Sequence, residues 1–187
     1  MKKQSNIAQI AIFFSSMVVI HVLSSSLFRL LPIPISPTIV HIPVIIASII
    51  YGPRVGIVLG FLMGCISLIS NTVQPLPSSY LFSPFVPNGN LLSLVITFAP
   101  RILIGVTPFY TYKFLNNRVG LFLSGFVGSL TNTVFVLGAI FLFFSGVYQG
   151  NIQLLLAGIL TTNSLLEMTI STVLTAAIVP KLEKLRK

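Results

Sequence analysis

The chain has 187 residues, of which 55% are hydrophobic and 7% charged, with a mean hydropathy of +1.01 and a formal net charge of +9. A soluble domain carries roughly a quarter of its residues charged, so this composition excludes one and describes an integral membrane protein, and repeated apolar runs of about 20 residues make it all-α rather than a barrel. The basic residues fall at helix ends and in short loops without interleaved aromatics, so membrane topology explains them and a nucleic-acid partner does not.

In chain order, a short basic leader, 1–6, precedes the first apolar span, predicted over 7–28. No small-residue cleavage site followed by a soluble domain accompanies it, so it reads as a retained helix rather than a signal peptide. Ala11 and Ser15 are small residues four apart, a spacing that admits a neighbouring helix from within the bundle or from a partner. His21 is expected to make a local hydrogen bond. Prolines 32, 34 and 37 then prevent a regular helix and predict a semi-rigid, apolar loop over 29–38.

The second span, 39–51, is short for a crossing and is accommodated by tilt, by local thinning or by burial inside the bundle. His41 near its start either caps the helix or points into the mouth of a pocket; no second histidine lies nearby to make a metal site. A turn at Gly52, Pro53 and Arg54 leads to a third span, 55–70, on which Gly56, Gly60 and Gly64 form one face for close backbone approach. Cys65, the only cysteine, lies in this span, which excludes a disulfide within the chain. The long connection over 72–89 alternates four prolines with Tyr80, Phe82 and Phe85, a composition that predicts an ordered lid rather than a solvent linker. Asn90 suits a helix cap, and Asn88 is either a turn residue or a ligand contact.

The fourth span, 90–114, carries Arg101 immediately after Pro100. An arginine at mid-bilayer depth marks a functional site unless an ion pair with Glu167, the only acidic residue in another span, satisfies it. Pro100 cannot donate a helical hydrogen bond, so a carbonyl near position 96 is expected to lie free beside the arginine. The fifth span, 119–145, holds Asn132 at mid-depth, and the sixth, 152–180, holds Asn163 one turn from Glu167.

Nine of the eleven basic residues fall on one side of a six-span topology, Arg29 on the other and Arg101 in the membrane. The positive-inside rule therefore places both termini in the cytoplasm and the loops 29–38 and 72–89 outside. Counted from the outer face at about 1.5 Å per residue, Arg101, Asn132 and Glu167 lie at similar depth, which predicts a polar pocket. Asn132 and Asn163 serve either as its walls or as polar contacts between helices. Arg101 suits a substrate carboxylate, because its planar fork donates two parallel charge-assisted bonds. Paired catalytic carboxylates, a nucleophile elbow, a membrane H-E-x-x-H and a phosphate-binding glycine loop are all missing, which argues against an enzyme, a metal site or a cofactor.

The run HIPVIIASIIYGPRVGIVLGFLMGCISL at 41–68, with the six-span plan and outward loops, resembles the substrate-binding S component of energy-coupling factor (ECF) vitamin transporters. Within that family, SPFVPNGN at 83–90, PRILIGVTPF at 100–109 and GSLTNTVFVLGAIFLF at 128–143 look like the pantothenate-specific member, with hydroxymethylpyrimidine and pyridoxine components as relatives. The resemblance implies high-affinity vitamin capture and assembly with a transmembrane coupling protein, the T component, and two cytoplasmic ATPases. It also implies that the small-residue surface of the first helix meets the coupling protein. Ala11 and Ser15 stand nearest to the family's alanine pair there and depart from it at the serine. On these grounds Arg101, Asn132, Asn163, Glu167, His41, Asn88 and Tyr80 are the candidate substrate contacts. An assembly factor without a small-molecule cargo is the reading from a different class.

Overall fold

Backbone groups in a bilayer have no water to bond, and this chain meets that constraint with helices. The computed structural model describes residues 2–30, 39–148 and 150–186. Its helices are α1 (Lys2–Leu30), α2 (His41–Tyr51), α3 (Pro53–Val73), α4 (Leu92–Ile104), α5 (Thr107–Leu115), α6 (Arg118–Phe143), α7 (Ser145–Tyr148), α8 (Ile152–Ile159) and α9 (Thr162–Arg186). Five stretches among the described residues are long and apolar enough to cross a membrane, and α2 is a shorter apolar helix. The result is an all-α, multi-pass membrane bundle.

Short α2 is the centre of that bundle. Every residue from His41 to Ile50 is buried, and Val44, Ile45 and Ala47 pack with Leu59, Ile104 and Val179 from three other helices. Burial, rather than tilt or thinning, therefore accommodates its length. Long α1 lies at the other extreme: Met17 is its one fully buried apolar residue among the described residues, and Ile7, Ile12, Val19, Val22 and Leu23 are exposed. His21 holds it to α3 through a 2.7 Å contact with Ser70 Oγ, so the histidine bonds between helices and not locally. Helix α1 runs on to Leu30, so the first two positions of the predicted loop 29–38 are helical, and its remainder, 31–38, lies outside the described residues.

Two spans that read as single helices are interrupted. Span four ends as α4 at Ile104 and resumes as α5 at Thr107. The break falls ahead of Pro108, which occupies the first turn of α5 where its missing N–H is harmless. The exposed backbone at the break is recovered by side chains: Thr107 Oγ1 donates to Leu103 O at 3.3 Å, and Ser48 Oγ of α2 donates to Gly105 O at 2.7 Å. Span six breaks between α8 and α9, where Thr161 Oγ1 accepts from Ser164 N at 3.3 Å and shares a hydrogen bond with the Ser164 hydroxyl at 3.0 Å. A Thr-Thr-Asn-Ser run offers the backbone such local alternatives to helix continuation.

Helices α3 and α4 approach backbone to backbone. A Cβ at Gly60 would fall on the Arg101 carbonyl oxygen, one at Gly56 on the Gly105 carbonyl oxygen, and one at Gly64 on the Phe98 ring. The glycine face thus fixes the depth of α4, and with it the depth of Arg101. Gly60→Ala should force the two helices apart and lower the thermal unfolding midpoint by the equivalent of about 1–3 kcal/mol, as overpacking does. Gly138→Ala, where a Cβ meets nothing within 4 Å inside α6, is the control and should not lower the midpoint, since alanine is the better helix former.

Candidate functional site

Arg101 is 8% exposed on α4, inside a membrane-length span. Its Nη1 donates to Ile96 O at 2.7 Å, the carbonyl that Pro100 leaves without its helical donor. The sequence expectation of a free carbonyl beside the arginine is met, and the arginine itself is the group that takes it. The guanidinium carbon lies 5.4 Å from the centre of the Phe82 ring, within range of a cation–π contact. Arg101 Nε is buried and has no hydrogen-bond partner among the described residues.

The other candidates come from α6 and α9. Helix α6 packs against both α4, which carries Arg101, and α9, which carries Glu167. Glu167, 4% exposed, acts on the arginine electrostatically. Asn163 Nδ2 donates to Glu167 Oε1 at 3.4 Å, which puts the two on one face as their spacing requires. Asn132 is buried on α6. Asn132 Oδ1, Asn163 Oδ1 and the hydroxyl of Ser129, one turn before Asn132, are buried polar atoms without a partner among the described residues. Buried polar groups are nearly always bonded, so each of these atoms on α4, α6 and α9 is a candidate contact for a polar ligand.

The connection after α3 reaches this place from above. Ser79–Leu81 form a single 3-10 turn, and Ser79 Oγ, which donates to Asn71 Oδ1 at 2.8 Å, accepts from Leu76 N at 2.8 Å. Ser93 Oγ donates to Tyr80 O at 2.7 Å and Thr97 Oγ1 to Phe82 O at 2.6 Å, so two hydroxyls of α4 fasten the segment. Tyr80 packs edge-on against Phe144 at 5.8 Å, while Leu81 joins Ile96, Val136 and Ile140 in a small apolar cluster. The segment is ordered, and the side chain it sets over Arg101 is Phe82. Sequence reading passed over Phe82 and Ser129 as site residues; an aromatic two residues after Tyr80 in an apolar loop was the available signal for the first.

The other candidates lie apart from this cluster or at its edge. His41 is fully buried at the first position of α2, with no side-chain cap at that helix start. Asn88 is exposed with φ 64°, a left-handed turn position that asparagine tolerates, and Asn90 Oδ1 accepts from Leu92 N at 2.8 Å at the entry to α4. Ala11 and Ser15 are exposed on α1, and Ser15 Oγ donates back to Ala11 O at 2.8 Å. A cavity of about 280 Å³ between α1 and α3, lined by His21, Ser25, Ser70 and Gln74 among others, shares no residue with the Arg101 cluster.

Residues 5–179 match the family described as the ECF transporter, substrate-specific component. The chain belongs to that family. It is also 46% identical over 189 residues to the pantothenic acid transporter PanT of Lactococcus lactis subsp. cremoris (strain MG1363), a match covering 98% of this chain and 96% of that protein. A substrate-specific component of an ECF transporter binds the cargo and works with a membrane coupling component and ATPases, so ATP hydrolysis belongs to other subunits. In this S component a buried charge, an unpartnered donor and an aromatic neighbour meet at Arg101.

The hydrogen bonds that fasten Phe82 can be tested without a ligand. Thr97→Val in combination with Ser93→Ala should speed amide hydrogen exchange in the peptide spanning 79–83, since each bond contributes about 0.5–1.5 kcal/mol. Thr169→Val, which removes only a hydroxyl bonded to Leu165 O on an exposed helix face, should leave that peptide unchanged.

Proposed function

We propose that this S component binds pantothenate, and that Arg101 pairs with the cargo's carboxylate. The observation that carries the reading is the state of the guanidinium: it is held in the membrane span by its own helix, with Nε buried and unpartnered among the described residues. High identity to a pantothenic acid transporter supports the choice of cargo. The chemistry of pantothenate matches the walls. Its carboxylate suits the arginine, its amide and two hydroxyls suit Asn132, Asn163 and Glu167, and its gem-dimethyl group suits the apolar cluster of Ile96 and Val136. Tyr80, His41 and Asn88 belong to the outward side of the site, where they shape its mouth rather than its floor.

The remaining parts of the proposal concern assembly. Ala11 and Ser15, on a helix whose apolar residues are mostly exposed, are the surface for the T component, because small residues let two helices approach closely in lipid. Two ATPases complete the importer on the cytoplasmic side, where the basic turns and termini lie.

Calorimetry on purified protein tests the carboxylate assignment. Arg101→Ala should abolish tight pantothenate binding with the protein still folded, and Arg101→Lys should restore it only in part, since an ammonium lacks the planar fork. Near-native affinity in the alanine variant would refute the assignment. Asn132→Ala and Asn163→Ala should each weaken binding by about 1–3 kcal/mol per lost bond. Comparison with a deoxy analogue should show non-additive losses wherever residue and hydroxyl share an interaction. For assembly, Ala11→Leu with Ser15→Leu should impair association with the T component in copurification and leave pantothenate affinity unchanged.

A further inference from the structure

Pro100 is fully buried inside α4, immediately before Arg101. The helix runs through it without interruption and ends only at Ile104, so this proline does not serve to break the span. Its effect is on one carbonyl. Without an N–H it cannot donate to the residue four positions back, Ile96, which is fully buried. That carbonyl oxygen receives Arg101 Nη1 at 2.7 Å instead.

The consequence lies in the remainder of the guanidinium. Nη1 is the terminal nitrogen on the same side as Cδ, and the opposite edge carries Nε–H and Nη2 as two parallel donors. Among the described residues neither of these has a hydrogen-bond acceptor, and Nε is buried. A carboxylate approaching the arginine therefore meets the side-on pair with one end of the group already anchored. The Phe82 ring at 5.4 Å further limits how the plane can turn. Arginine loses a flexible side chain's freedom whenever it binds, and an anchor made before the ligand arrives reduces that loss.

We infer that Pro100 is a positioning residue: by freeing the Ile96 carbonyl it tethers Nη1 and presents the Nε/Nη2 edge of Arg101 for side-on capture of an anionic cargo. The inference rests on the reading of Arg101 as the carboxylate-binding residue. With an ordinary residue at position 100, the restored N–H would return to Ile96 O in the helical pattern and release the guanidinium. Recognition of the cargo's anionic end would then suffer, and recognition of its hydroxyl and amide end would not.

The test measures the affinities of full-length protein for pantothenate and for pantothenol, in which a neutral hydroxymethyl group replaces the carboxylate. Wild type, Pro100→Ala, Pro100→Val and Arg101→Ala are compared, each with its thermal midpoint. Alanine and valine both restore the N–H with side chains of different size, which separates the hydrogen bond from packing. Both Pro100 variants should stay folded, lose about tenfold in affinity for pantothenate and change by less than about twofold for pantothenol. Equal losses for the two ligands, with or without a fall in stability, would assign Pro100 a packing role and overturn the inference, as would no loss at all. Equal binding of both ligands by wild type, together with an unaffected Arg101→Ala, would refute the carboxylate reading itself. That result appears without any Pro100 variant, so the two failures are distinguishable.

Discussion

The contact between the Arg101 guanidinium and the Ile96 carbonyl holds a charge where the bilayer opposes one. An arginine at the centre of a span costs about 2.5–3.5 kcal/mol on insertion scales, and more on an isolated helix. Here two defects offset each other: a cation that needs acceptors and a carbonyl that Pro100 has deprived of its donor. The compensation is partial by construction, since one carbonyl occupies one nitrogen. Glu167 adds an opposite charge from α9, and Phe82 adds the negative face of its ring from the loop above. What remains, an unpartnered Nε, is the kind of deficit that a ligand removes.

Packing around this contact fixes its position more tightly than the hydrogen bond alone could. Helix α3 lies against α4 with glycine hydrogens where side chains would collide, and the Arg101 carbonyl is one of the atoms at that seam. Helix α2, buried along nearly its whole length, supports both, and its Ser48 hydroxyl completes the carbonyl at Gly105 where α4 gives way to α5. The break itself falls four residues past Arg101, and one side chain from α2, Ser48, and one at the break itself, Thr107, make the interruption tolerable. In a bilayer such irregular backbone is stable only where protein supplies the missing partners.

The lightly packed first helix has the opposite character. Its apolar residues are largely exposed and its single histidine reaches α3, so among the described residues α1 is the least buried of the five membrane-length stretches. In lipid an exposed apolar face carries no hydrophobic penalty, and close association then depends on small residues and shape.

The sequence alone determined the medium and the helical class, because hydropathy and charge act through composition and spacing that need no folded context. It also determined that Pro100 would free a carbonyl near Arg101, a consequence of covalent chemistry and helical repeat. It marked Gly56, Gly60 and Gly64 as one face by the same periodicity. Only the tertiary structure decided what that carbonyl and that face would meet, since the partners are separated from them along the chain. The breaks at Gly105 and Thr161 depend on Ser48 and on local hydroxyl bonding competing with helix continuation, and periodicity is blind to both. Likewise Tyr80 and Phe82 are equivalent aromatics on paper. Which of them covers Arg101 was settled by where Ser93 and Thr97 of α4 grip the loop's carbonyls.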